Sequence, residues 1–135
     1  MEERMSRNLD KVKSYLLDLD LAIAHEDEAE ELVVVNDDES GIQNLIIDCE
    51  DPILVIEQHI MEVPKQPADF YKKLLQINRT LVHGAFVMDE SGENIFFRDT
   101  LQIANLDLNE LEGSISALSL ALAENAGELL EYAKR

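Results

Sequence analysis

The chain has 135 residues, 46% hydrophobic and 30% charged, which is one domain's length with enough apolar material for one core and too much for a disordered segment. Twenty-nine Asp and Glu stand against 11 Lys and Arg, a formal net charge of −18. That surface repels phosphate backbones and anionic headgroups, so nucleic-acid and membrane roles are disfavoured. A single cysteine, Cys49, excludes an intrachain disulfide framework and fits a reducing compartment. Met1–Met5 has no apolar signal core, and no apolar run approaches the roughly 20 residues needed to span a bilayer. A cytoplasmic location without membrane insertion is the resulting expectation.

In chain order, Leu9, Val12, Leu16 and Leu19 recur at spacings of three and four and predict an amphipathic first helix. The acidic stretch from His25 to Glu31 reads as an exposed connection because its like charges repel, with room for a short strand at Ala22–Ala24 before it. Three strands follow, at Leu32–Val35, Leu45–Cys49 and Ile53–Ile60. They are separated by a turn at Asp37–Gly41 and a second turn through Pro52, which lacks a donor and suits the start of a strand. These strands are partly apolar on both parities, so the sheet is either covered on both faces or offers one apolar face to a partner.

A second helix starts at Pro67 and carries the stripe Phe70, Leu74, Ile77 and Leu81, with its exit at Gly84. Ala85–Met88 and Asn94–Phe97 bracket the turn Asp89–Glu93 as a hairpin, with a continuation through Thr100 or a further short strand at Leu101–Ala104. Asp107, with Glu110 three residues on, is an acidic capping box opening a last helix striped by Leu108, Leu111, Ile115, Leu118 and Leu122. That helix is free of charge from Ser114 to Ala123, which predicts burial on more than one side. The order α-β-β-β-α-β-β(-β)-α with short turns gives an α+β fold, a single domain over residues 1–135 with helices on an antiparallel sheet. The repeated Asp-Glu-Ser-Gly, at 38–41 and 89–92, reads as two hairpin turns.

Little in the sequence points to reaction chemistry. Glu50 and Asp51 beside Cys49 disfavour a thiolate, and the thiol reads as a small apolar strand residue. His25, His59 and His83 have no partner at zinc-ligand spacing. Neither acidic turn has the twelve-residue ligand pattern of a calcium loop, and no glycine-rich phosphate loop or nucleophile elbow occurs. No catalytic, metal-binding or cofactor-binding residue is therefore assigned. Arg98 and Asp99 read as an ion pair closing an edge strand rather than as a groove contact.

The run Leu74-Leu-Gln-Ile-Asn78, then Leu81, Gly84, Phe86, Asp89 and Gly92, then Arg98-Asp-Thr-Leu101 resembles the YbjN-like, type III secretion chaperone-like (CesT/Tir chaperone-like) family. The preceding strands and the closing helix match that family's order. The resemblance implies a small, acidic, dimeric, non-enzymatic bacterial protein that holds a partner chain on apolar helix and sheet surface. The expected contacts are Val33, Val35, Ile46, Leu54 and Ile56, taken as one parity of the sheet. A homodimer is expected from the surplus of apolar surface. Two rivals are a small-ligand-binding protein, with His59, Cys49 and Arg98 as its candidate members, and a structural subunit of an envelope-stress-related assembly.

Overall fold

Six antiparallel strands form one sheet in the order β1-β2-β3-β4-β6-β5, seen in a computed structural model that describes residues 2–134, with side chains from Asn8 onward. The elements are α1 (Glu2–Asp18), β1 (Ala22–Asp27), β2 (Leu32–Asp37), β3 (Ile42–Glu50), β4 (Ile53–Glu62), α2 (Ala68–Asn78), β5 (Ala85–Met88), β6 (Asn94–Gln102) and α3 (Leu108–Ala133). The α+β reading and the three helices hold. Four strands precede α2, however, because the stretch read as an acidic connection is half strand. Alternation makes this possible: Glu26 points toward α1, where Lys13 Nζ lies 2.7 Å from its carboxylate, while His25 and Asp27 point to the opposite side. Like charges adjacent in sequence are thereby separated. At the other end β6 runs to Gln102, and Ile103 turns out of the sheet, its N–H donating to Pro52 O at 3.0 Å, so no further strand forms there.

All three helices lie on one face. Leu9, Val12 and Leu16 of α1, Phe70, Leu74 and Ile77 of α2, and Leu111, Ile115, Leu118, Ala121 and Leu129 of α3 join the inward residues of the strands in one core. Asp107 caps α3 as expected, accepting from Glu110 N at 2.8 Å. The buried amide of Gln58 is fully engaged: its Oε1 accepts from Gln43 N and its Nε2 donates to Gly41 O.

Three local devices hold the α2–β5–β6 corner. The Asn78 side chain, at the end of α2, accepts from Phe86 N at 2.8 Å and donates to Phe86 O at 3.1 Å, so its amide serves as a strand partner for β5. Asp89 organises the β5–β6 hairpin by accepting from Ser91 Oγ, Glu93 N, Asn94 N and Asn94 Nδ2. The Asn94 side chain first, then the backbone donors and Ser91, hold the Asp89 carboxyl down to about 2. Gly84, at φ +73°, lies under the Phe97 ring, and a Cβ there would sit 2.4 Å from Phe97 Cζ.

Phe97 is fully buried and meets Phe86 edge-to-face at 5.8 Å, whereas its neighbour Phe96 points to the opposite face. Phe97→Ala is expected to cost about 3–5 kcal/mol and Phe96→Ala far less. Gly84→Ala should also be strongly destabilising, since it adds both a Cβ clash and a left-handed backbone penalty. Chemical denaturation of the three variants checks this; equal losses for Phe96 and Phe97 would contradict the assigned faces.

Candidate partner-binding surface

Among the described residues, no element covers the face of the sheet away from the helices. Its central row runs across all six strands as His25, Val34, Ile46, Glu57, Arg98 and Ala85. The next row is Asp27, Leu32, Asp48, Val55 and Thr100. Ile53 extends the apolar strip beside Val55, and Phe96 lies further along β6 with His59 edge-to-face at 5.3 Å. Leu32, Val34, Val55 and Phe96 are half-buried by their neighbours, and Ile46 at the centre is 41% exposed.

Of the five contacts expected from sequence, only Ile46 lies on this open face. Val33, Val35, Leu54 and Ile56 are fully buried under the helices and belong to the core. The five do not share a parity: Ile46 pairs with Val34 and Glu57, whereas Ile47 pairs with Val33 and Ile56. Face is inherited along one strand by alternation, but each turn sets it afresh for the next, and a register one residue different reverses it. The open-face residues missed in this way are Leu32, Val34, Ile53, Val55 and Phe96. Their signal is present in the alternation of each strand, and it needed the cross-strand register to be read.

The strip has charge within it. Among the six strands Arg98 is the only Lys or Arg, and it faces Glu57 at 3.9 Å. Asp99 points to the helix side instead, accepting from the buried Ser114 Oγ at 2.7 Å, so the expected Arg98–Asp99 ion pair does not form. Nor is β6 an edge strand, since it lies between β4 and β5. Asp48 stands between Leu32 and Val55 with Ile46 two residues away on the same face. Burial, then hydrogen bonding to and repulsion from Glu50, then repulsion from Glu30 and Glu31, push its carboxyl up to about 6. Asp48 Oδ1 and Glu31 Oε1 are both shielded from solvent without a hydrogen-bond partner among the described residues.

The residues of the small-ligand rival do not converge. Cys49 is buried on the helix side, where burial first, and Glu31, Asp48 and Glu50 after it, push the thiol up to about 12. His59 and Arg98 occupy diagonal positions on the open face, with His59 Nε2 3.0 Å from Asn94 Oδ1. His59 also reaches a groove of about 370 Å³ between β4 and α3, whose walls include Met61, Leu122, Leu129 and Leu130. His83 is exposed. Among the described residues no three His, Cys, Asp or Glu side chains are grouped to hold a metal ion, and no helix is long and apolar enough to cross a membrane. A second apolar patch lies at the α2–β5 edge, where Leu75 and Met88 are 72% and 49% exposed beside Tyr71.

The Asp48 environment has a measurable consequence. Its carboxyl titrates higher in the folded chain than the ordinary 3.8, so the folded state binds the proton more tightly. Its contribution to stability is therefore favourable in acid and falls as pH rises through about 4 to 6. Asp48→Asn should stabilise the fold at pH 7–8 by about 1 kcal/mol, held to that scale by solvent screening. The gain should shrink toward pH 4. Thermal melting of both chains across this range checks it; a gain that grows in acid would contradict the assignment.

The comparisons with known proteins agree with this architecture. The CesT_Tir_1 family profile matches residues 5–135. No curated protein sequence matches the chain. Among solved structures, YbjN from E. coli is similar with a TM-score of 0.69 and 14% identity, covering 90% of this chain and 93% of that one. A chain of the HopA1–SchA chaperone–effector complex gives 0.63 and 11%, covering 87% and 94%. The Yersinia pestis type III secretion chaperone SycH, solved in complex with a stable fragment of YscM2, gives 0.61 and 15%, covering 86% and 98%. At these identities the structures establish a shared fold, and with the profile spanning nearly the whole sequence, the chain belongs to the CesT_Tir_1 family.

Proposed function

We propose that this chain is a non-enzymatic, chaperone-like protein-binding module of the cytoplasm that holds a partner polypeptide on the open face of its sheet. The observation that carries this reading is the uncovered apolar strip of Leu32, Val34, Ile46, Val55 and Phe96, while all three helices pack on the other side. Family membership supports it, as do the solved complexes in which proteins of this fold hold effector or partner fragments. The mechanism is burial of a partner's apolar side chains against the strip, with the surrounding carboxylates keeping the complex in solution.

The test begins with affinity capture from the native host and identification of the co-purifying chain. Titration of that chain against variants then follows. Ile46→Lys puts an ammonium at the centre of the strip and should weaken binding by at least about tenfold, because the charge must be desolvated. Cys49→Ser and His83→Ala should change affinity less than about twofold, since neither reaches the strip. Circular dichroism confirms folding in each case. Loss of binding in the cysteine or histidine variants with a silent Ile46→Lys would replace this reading.

Self-association is proposed through the α2–β5 patch, as a two-fold dimer. Leu75 and Met88 are its most exposed apolar residues. Light scattering at micromolar concentration should give a dimer for the unaltered chain and a monomer for Leu75→Asp combined with Met88→Asp. A monomer for both would refute it.

A further inference from the structure

The open face pairs an apolar strip with two carboxylates, Asp48 and Glu50, that face no Lys or Arg among the described residues, and this combination specifies what a bound segment must carry. Arg98 is the only Lys or Arg on the six strands, and it faces Glu57. One row away stands Asp48, enclosed by Leu32, Val55 and Ile46. Glu50 lies two residues along β3, and Glu30 and Glu31 lie in the β1–β2 turn close enough to repel it. Shielded Asp48 Oδ1 and Glu31 Oε1 each lack a hydrogen-bond partner among the described residues, an arrangement that is unfavourable until a donor arrives. Apolar surroundings raise the value of a charge-assisted hydrogen bond made there.

We propose that the partner segment held on the open face presents one Lys or Arg flanked by apolar residues, the cation docking against Asp48, in the field of the neighbouring Glu30, Glu31 and Glu50, while the flanking residues cover Leu32, Val34, Ile46 and Val55. The inference rests on the reading of this face as the partner-binding surface and names the chemistry of the segment. Apolar contact supplies the area, and the cation fixes where along the strip the segment sits. A second copy of this chain, also at −18, is a poor occupant of so acidic a face.

The test is selection from a display library of random 15-residue peptides against the immobilised full chain, at a salt concentration high enough to suppress long-range attraction. The same selection is run on Asp48→Asn with Glu31→Gln, on Glu90→Gln with Glu124→Gln as a control that removes equal charge elsewhere, and on Ile46→Lys. Thermal melting establishes that each is folded, and the single variants Asp48→Asn and Glu31→Gln replace the pair should the double variant melt early. The expected result is enrichment of apolar peptides with one flanked Lys or Arg on the unaltered chain and on the control pair. The basic preference should disappear, with the apolar preference kept, on the Asp48/Glu31 pair. In a selected peptide, replacing that basic residue by norleucine should weaken binding about tenfold on the unaltered chain and less than about twofold on the pair. Apolar enrichment without a basic preference, or a basic preference that survives on the Asp48/Glu31 pair, overturns the inference and leaves the binding face standing. No enrichment, or enrichment unaffected by Ile46→Lys, overturns the binding face and the inference with it.

Discussion

Everything in this molecule depends on the packing of three helices against the same side of one sheet. A six-stranded antiparallel sheet has two faces, and alternation obliges each strand to divide its side chains between them. The helix side takes Val33, Val35, Leu45, Ile47, Leu54, Ile56 and Phe97, all fully buried. The remaining side chains have no element among the described residues to cover them. Their partial apolarity is therefore a by-product of no packing need within the chain, and it calls for an explanation outside it.

The sheet is kept in shape by polar devices at its margins rather than by more apolar burial. The Gln58 amide ties the start of β3 to β4, Asn78 ties α2 to β5, and Asp89 ties the last hairpin together. Each satisfies backbone groups that would otherwise be left without partners where a strand begins or a helix stops. Cys49, held among these inward strands as a neutral thiol, contributes volume and no reactivity.

Local signals in the sequence were sufficient for most elements and for the family. The helical stripes, the Asp107 cap, the hairpin at Asp89 and the run from Leu74 to Leu101 all depend on residues within a few positions of one another, and the elements form where these patterns placed them, except that α2 stops at Asn78, leaving Leu81 and Gly84 beyond it, and that the uncharged stretch of α3 leaves Leu120 exposed instead of burying a second side. Strand β1 was underestimated because charge counted along the chain says nothing of how alternation and Lys13 separate Glu26 from its neighbours. The five expected contact residues were put on one face for a related reason. Whether Ile46 or Ile47 meets Val33 is set by turn geometry and by an irregularity between Val35 and Asp37, and neither can be read from spacing. The environment of Asp48 is built by β2, β4 and the β1–β2 turn together, so no window of sequence contains it.

The margins of the sheet have one more consequence. A bare strand edge can template another strand, and an apolar sheet with bare edges tends to grow into fibres. Here β1 is interrupted by a register irregularity between Ile23 and His25 and carries acidic residues beyond it, which spoils its outer row of hydrogen-bonding groups as a template. At the opposite side β5 is four residues long, and the Asn78 amide already occupies both backbone groups of Phe86. Growth by strand addition is obstructed in both directions. The molecule can thus display a broad apolar face without polymerising through its edges, which is what a protein must do if it is to wait in solution for another chain.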